Sequence, residues 1–225
     1  MRHLSKRLQV IFDLVPDGAR IADIGTDHAY LPIALAMEKK AKNIIACDIR
    51  EKPLSKAREN IKKFTGLSVE TRLGDGISPI SHGEADTVII AGMGGDVISH
   101  ILSGCNWIKD ENILLLLQPM TSAEILRKYL AENLFSIEKE IPVCDSGKVY
   151  TVMSVRYSGI KESHPVGFEF TGGITADSPD GVLYLEKQRK RISDCIVQIS
   201  PLSEKKSETE LYRKILNHIE SVLNL

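Results

Sequence analysis

The sequence predicts an α/β protein: a mainly parallel sheet covered by helices on both faces, ending in an antiparallel strand pair and followed by a C-terminal helical hairpin. Three observations carry this. Strand-length apolar runs alternate five times with segments of helical periodicity, the pattern of stacked βα units. Two strand-like segments then follow each other with no helix between them. Beyond a stretch rich in Gly, Pro and Ser, apolar residues recur at intervals of three and four to the end of the chain.

Taken in order, residues 4–15 place Leu4, Leu8, Ile11, Phe12 and Val15 on one helical face, and Pro16-Asp17-Gly18 stops the helix. "ARIADIG" reads as a buried strand and "LPIALAMEKKA" as a helix with Pro32 confined to its first turn. "NIIACDI", "SVETRLGDG", "ADTVIIAGMGG" and "NILLLLQP" read as strands two to five. "PLSKARENIKKF", "DVISHILSG" and "SAEILRKYLAENL" are the helices that complete the units. "FSIEKEIPVC" and "KVYTVMSVRY" are expected to pair antiparallel. Five βα units closed by such a pair, seven strands with the last one antiparallel, is the plan of the Rossmann-like class I methyltransferase sheet. A dinucleotide fold more often keeps a parallel sixth strand. The expected organisation is a sheet domain over 1–158, a connector over 159–182 and a helical hairpin or short coiled coil over 183–225. In the hairpin, Leu185, Ile192, Cys195, Ile196 and Ile199 face Leu211, Ile215, Ile219, Val222 and Leu223.

Composition narrows the function classes. The 225 residues are 43% hydrophobic and 26% charged, with a net charge of −1, so bulk electrostatics announce no nucleic-acid partner. Cys47, Cys105, Cys144 and Cys195 form no Cys-x-x-Cys pair, which argues against a zinc ribbon or a disulfide framework; four reduced, mostly buried thiols and no metal are expected. "MRHLSKRLQVIF" lacks the apolar core of a signal peptide, and the longest apolar run is strand-length. A cytoplasmic protein without membrane association is expected.

In an open parallel sheet, ligands bind beyond the carboxyl ends of the strands. Asp23 and Gly25 close strand one, and Asp48 with Ile49 closes strand two, where an acid typically grips ribose hydroxyls. Asp75 and Gly76 follow strand three. Ala91, Gly92, Met93 and Gly94 close strand four, and Gln118, Pro119 and Met120 close strand five. Each alone has a structural alternative as a helix cap or a turn, as expected for Asp96 and Asp110. Five at successive strand ends point to a nucleoside site. The pattern G-x-G-x-x-G is absent: from Gly25 the chain reads Gly-Thr26-Asp27-His28-Ala-Tyr30. Asp27 would repel a pyrophosphate at close range but suits a ligand carrying sulfonium and ammonium cations. The loop therefore disfavours NAD and favours S-adenosylmethionine, with S-adenosylhomocysteine as product. Asp48 takes the ribose, Asp75 the adenine amino group, and the glycines of "AGMGG" leave room for the methionyl part.

"SKRL" from Ser5, "DIGTDHAYLP" from Asp23, "IAGMGG" from Ile90 and "LQP" from Leu117 together resemble the TrmK family of bacterial tRNA (adenine-N1)-methyltransferases, along essentially the whole chain. The resemblance implies methylation of N1 of adenine 22, in the D-loop region of tRNA. It places Asp23, Gly25, Thr26, Asp27, His28, Asp48, Ile49, Asp75, Gly76, Ala91, Gly92, Met93 and Gly94 around the cofactor, with Gln118 and Pro119 in the slot that holds the target base. Asp27 is the candidate carboxylate for the charge that develops on the methylated base, or else only positions the cofactor's ammonium group. The family often reads Gln-Pro-Asn after strand five, and here Met120 stands in place of the Asn. Tyr30 is expected to stack on the base or to be buried at a helix start; His28 is expected to be structural or cofactor-adjacent.

Phosphate contacts must come from patches. Lys6 and Arg7, beside Arg2 and His3, and the hairpin's Lys187, Arg189, Lys190 and Arg191 are the favoured candidates. Lys52, Lys56, Arg58, Lys62 and Lys63 read rather as a solvated helix face. tRNA is the expected partner and a monomer or weak homodimer the expected state. The competing readings are a methyltransferase for a small molecule or protein, and a non-catalytic RNA-binding adaptor that retained the cofactor fold.

Overall fold

The computed structural model describes residues 4–224, excluding the side chain of Ser203. Arg2 and His3 of the expected N-terminal patch lie outside the described residues. Seven strands form one sheet: β1 (Ala19–Ile24), β2 (Ala41–Asp48), β3 (Glu70–Leu73), β4 (Thr87–Gly94), β5 (Leu114–Thr121), β6 (Phe135–Asp145) and β7 (Lys148–Tyr157). Their order is β3-β2-β1-β4-β5-β7-β6. β1 to β5 are parallel, and β7 enters antiparallel between β5 and β6. Strand order reverses between β1 and β4, so the carboxyl ends of these strands open the crevice where such sheets bind ligands.

The central strands are apolar on both faces, which is why they read as continuous runs rather than alternations. Ala22 and Ile24, Val88 and Ile90, and Leu115 and Leu117 face one side. There they pack under Ile98 and Leu102 of α4 (Gly95–Ser103) and Leu126 and Leu130 of α5 (Ala123–Glu132). The alternate residues Ile21, Ile89, Leu114 and Leu116 face Ile11 of α1 (Lys6–Leu14) and Leu31 and Leu35 of α2 (Tyr30–Met37). α3 (Glu51–Lys62) buries Leu54 and Ala57.

α2 ends earlier than its periodicity suggests. Lys39 adopts φ 53, its N–H bonds to Ala36 O, and the Lys40 N–H reaches back to Leu35 O at 3.0 Å. That is a Schellman closure with lysine where glycine is usual. It frees Ala41 to join β2 opposite Ala19. Only two of the four cysteines, Cys47 and Cys105, are buried, and all four are free thiols.

The expected connector contains a short helix, α6 (Phe168–Thr171), and the next helix, α7 (Pro179–Ile199), begins earlier than its apolar pattern indicated. Ser178 caps it by accepting the Gly181 N–H at 3.1 Å, with Pro179 in the first turn. α7 and α8 (Lys206–Leu223) close on Ile192, Ile215 and Ile219. Leu211, placed in that seam by its spacing, is 49% exposed, and Thr209 is buried. The hairpin is seated on the sheet by Tyr184 and Leu185, which pack against Val149 and Ile174.

Beneath that seat lies a fully buried ion pair. The Arg127 guanidinium donates to Glu140 through Nη2 at 2.6 Å and Nε at 3.1 Å, and through Nη1 to the Glu169 carbonyl at 2.7 Å. Its Nη2 also meets the Tyr184 hydroxyl at 2.8 Å. The Thr151 hydroxyl and the Gly173 N–H donate to the Glu140 carboxylate.

Candidate functional site

The loop after β1 is built against phosphate. In a dinucleotide loop the free N–H groups point at the ligand. Here the N–H groups of Gly25 and Thr26 both bond to the Cys47 carbonyl of β2, each at 2.8 Å. The loop then turns through two left-handed residues, Asp27 (φ 50) and Ala29 (φ 57), before α2 begins. Aspartate tolerates that region better than most side chains, and the turn leaves the Asp27 carboxylate 64% exposed at the mouth, 3.6 Å from His28 Nε2. His28 stacks on Tyr30 with ring centroids 5.4 Å apart. Gly25 adopts φ 75, a conformation that strains other residues, and a Cβ there would also displace the Met93 methyl.

Behind the loop, Asp23 is buried, and its pKa rises to about 6, first because burial disfavours its charge and further because of Asp48. The nearby Thr26 hydroxyl opposes the shift, yet it is buried and completes no hydrogen bond of normal geometry. Cys47, buried beside them, is held as a thiol with its pKa pushed up to about 12, by burial and then by the Asp23 charge. Asp48 is also buried; one oxygen accepts the Arg50 N–H at 2.9 Å, and the other has no partner among the described residues. Ile49, the next residue, is 58% exposed, and Leu73 at the end of β3 is 52% exposed. Asp75 is exposed beyond it. This crevice carries the complement of an adenosine bearing a cationic tail: an apolar residue for the ring, a half-satisfied carboxylate, an orphaned hydroxyl and a buried carboxyl awaiting a positive charge. S-adenosylmethionine fits these residues.

The β4–β5 wall differs from its sequence reading. Gln118 is completely buried. Its Oε1 accepts Arg7 Nη1 at 2.8 Å and the Gly92 N–H at 3.2 Å, and its Nε2 donates to the Pro119 carbonyl at 2.9 Å. The side chain expected to hold the target base is thus committed to a clamp joining α1, the glycine-rich end of β4 and the end of β5. Arg7, expected at phosphate, is spent on the same clamp, with Asp145 3.6 Å from its Nε. Arg191, from the hairpin cluster, pairs instead with Glu124 in the first turn of α5 at 2.6 Å. Arg189 pairs with Glu186 at 3.1 Å within α7. Lys6, Lys187 and Lys190 are exposed, although Lys187 Nζ also reaches the Val149 carbonyl at 3.4 Å. No group of three or more His, Cys, Asp or Glu among the described residues is placed to hold a metal ion, and no described helix is long and apolar enough to cross a membrane.

The sheet order with its antiparallel β7, together with carboxylates closing β1 and β2 over a loop that rejects phosphate, defines the class: a Rossmann-like methyltransferase that uses S-adenosylmethionine. A family model described as a methyltransferase domain matches residues 4–153. More narrowly, the chain belongs to the TrmK family of methyltransferases. It is 37% identical to the tRNA (adenine(22)-N(1))-methyltransferase of Bacillus subtilis over 76% of this chain and 72% of the relative. The crystal structure of the B. subtilis m1A22 tRNA methyltransferase TrmK superposes with TM-score 0.82 at 29% identity, covering 100% of this chain and 99% of that one. M. capricolum TrmK, solved in complex with S-adenosyl-homocysteine, gives TM-score 0.82 at 29% identity over 97% and 99% of the two chains.

Proposed function

We propose that this protein transfers a methyl group from S-adenosylmethionine to N1 of adenine 22 of tRNA. The observation that carries the reading is the loop after β1. The N–H groups of Gly25 and Thr26 are turned inward to Cys47 while Asp27 is presented outward, an arrangement unfavourable to a phosphate and favourable to a cationic donor. The full-length likeness to the B. subtilis and M. capricolum proteins supports the substrate and the position.

The cofactor supplies an electrophilic methyl group on sulfur. Adenine N1 holds its lone pair free at neutral pH, so attack needs no prior deprotonation; the chain's task is placement. Asp48 holds the ribose hydroxyls through its unpartnered oxygen, Ile49 lies against the adenine ring and Asp75 meets its amino group. Asp23 and Thr26 lie below the amino-acid tail. As the methyl passes from sulfur to N1, positive charge passes from donor to base, and Asp27 stands at the mouth where a carboxylate stabilises that charge. The Arg7–Gln118–Gly92 clamp fixes the wall against which an extruded base is positioned. The test is methyl transfer to unmodified tRNA transcripts followed by nucleoside mapping: 1-methyladenosine at position 22 is expected. Modification elsewhere, or none, refutes the reading.

A further inference from the structure

We propose that a cavity between α1, α2 and α3 receives an unstacked nucleotide of the RNA substrate, beside the donor loop rather than in it. The inference rests on the tRNA reading above and names where the RNA is gripped. The cavity measures about 790 Å³, ample for a single nucleotide. Three rings from three separate helical segments meet there: Phe12 of α1, Tyr30 of α2 and Phe64 just beyond α3. Phe64 and Met37 are 38% and 37% exposed, although both are large apolar side chains. Lys39, Lys40 and Lys63 line the same space. Single-stranded nucleic acid is held by this pairing of aromatic platforms for bases with cations for phosphates.

Charge supports this occupant. Three lysines of the lining face two acids; exposed Asp17 lies 3.7 Å from Lys40, whose ammonium also sits 5.3 Å from the Phe12 ring centroid. Glu38 is the remaining acid of the lining, against Lys39 and Lys63. Lys39 holds its place in the left-handed region, where glycine would be easier. Meanwhile two arginines favoured by sequence for phosphate contact have partners within the chain: Arg7 bonds to Gln118, and Arg191 pairs at the surface with Glu124.

The cavity is wired to the site. Lys63 Nζ donates to Asn60 Oδ1 at 2.8 Å, and Asn60 Nδ2 donates to the His28 carbonyl at 3.1 Å. Tyr30 lines the cavity while stacking on His28, next to Asp27. A nucleotide bound there holds the RNA one short step from the donor loop.

The test uses the full chain and unmodified tRNA. Affinity is measured directly and apart from turnover, for wild type, Phe64→Ala, Phe64→Trp and Lys63→Gln. Phe64→Ala is expected to weaken tRNA binding about tenfold or more, the loss typical of one stacked base. Phe64→Trp is expected to retain affinity, and Lys63→Gln to reduce the salt slope by about one. S-adenosylmethionine affinity and melting temperature are expected to stay at wild-type values in all three. Unchanged tRNA affinity in Phe64→Ala and Lys63→Gln overturns the inference, as does Phe64-dependent binding of free AMP with tRNA affinity untouched. A wild type that binds tRNA through Phe64 but never methylates it refutes the proposed reaction and leaves the cavity assignment standing.

Discussion

Two sets of buried charges sit in this molecule under opposite conditions. At the hairpin seat, Glu140 is met by both forks of Arg127, by the Thr151 hydroxyl and by the Gly173 N–H. At the donor end, Asp23 is equally removed from water but shares its site with a second acid, Asp48, and an orphaned threonine hydroxyl. A paired buried charge is a structural device, expensive only when broken. An unpaired one is destabilising by itself and makes sense when a ligand brings the opposite charge. The contrast separates architecture from function more sharply than burial or residue type does.

Breaking the satisfied side has the largest expected effect. Arg127→Ala strands Glu140 in the interior and should lower unfolding free energy by about 3–5 kcal/mol in chemical denaturation. Loosening of the hairpin should show as early loss of protection in α7. Asp27→Asn should lower kcat about a hundredfold, the scale of one lost electrostatic stabiliser, while the melting temperature stays near wild type. Equal turnover would confine Asp27 to donor binding or to no role.

Asp23→Asn is expected to act in the reverse direction on stability. The folded pKa of about 6 lies above the ordinary carboxylate value of 3.8. Between those values the native state binds more protons than the unfolded chain, so this group makes the cofactor-free protein lose stability as pH rises from about 4 to 6. The amide removes that loss, and the variant should be more stable by about 1–3 kcal/mol at pH 7. It should also bind S-adenosylmethionine more weakly. The smallest effect is at Lys39: replacement by glycine relieves a left-handed lysine and should stabilise by roughly 1 kcal/mol, while tRNA affinity falls modestly.

The parallel strands were legible because burial on both faces leaves uninterrupted apolar runs such as "ILLLLQP", and the site because aspartates and glycines fall where those runs end. The antiparallel β6–β7 pair was legible because no helix intervenes. What escaped depends on side chains meeting across the sheet. Arg127 and Glu140 are neighbours only once α5 crosses back to β6, and the Arg7 fork finds Gln118 only after α1 docks beside β5. In one dimension Arg127 looks like an ordinary solvated helix cation and Arg7 like a phosphate contact. The aromatic cavity was hidden for the same reason: Phe12, Tyr30 and Phe64 come from three segments, and Lys63, just past α3, reads as part of an exposed helix face. Where α2 ended was missed because lysine, not glycine, takes the left-handed position at its end.

The most direct test of the unpaired-carboxylate account is calorimetric titration of the full chain with S-adenosylmethionine from pH 5 to pH 8, in wild type and Asp23→Asn. Wild-type affinity should rise with pH through an inflection near the Asp23 pKa of about 6 and then level off, because binding requires the ionised carboxylate. The variant should be weaker and flat across that window, and NAD should give no heat in either protein. A wild-type affinity independent of pH, or tight NAD binding, would contradict the claim that the donor end is built around a charge awaiting a cation.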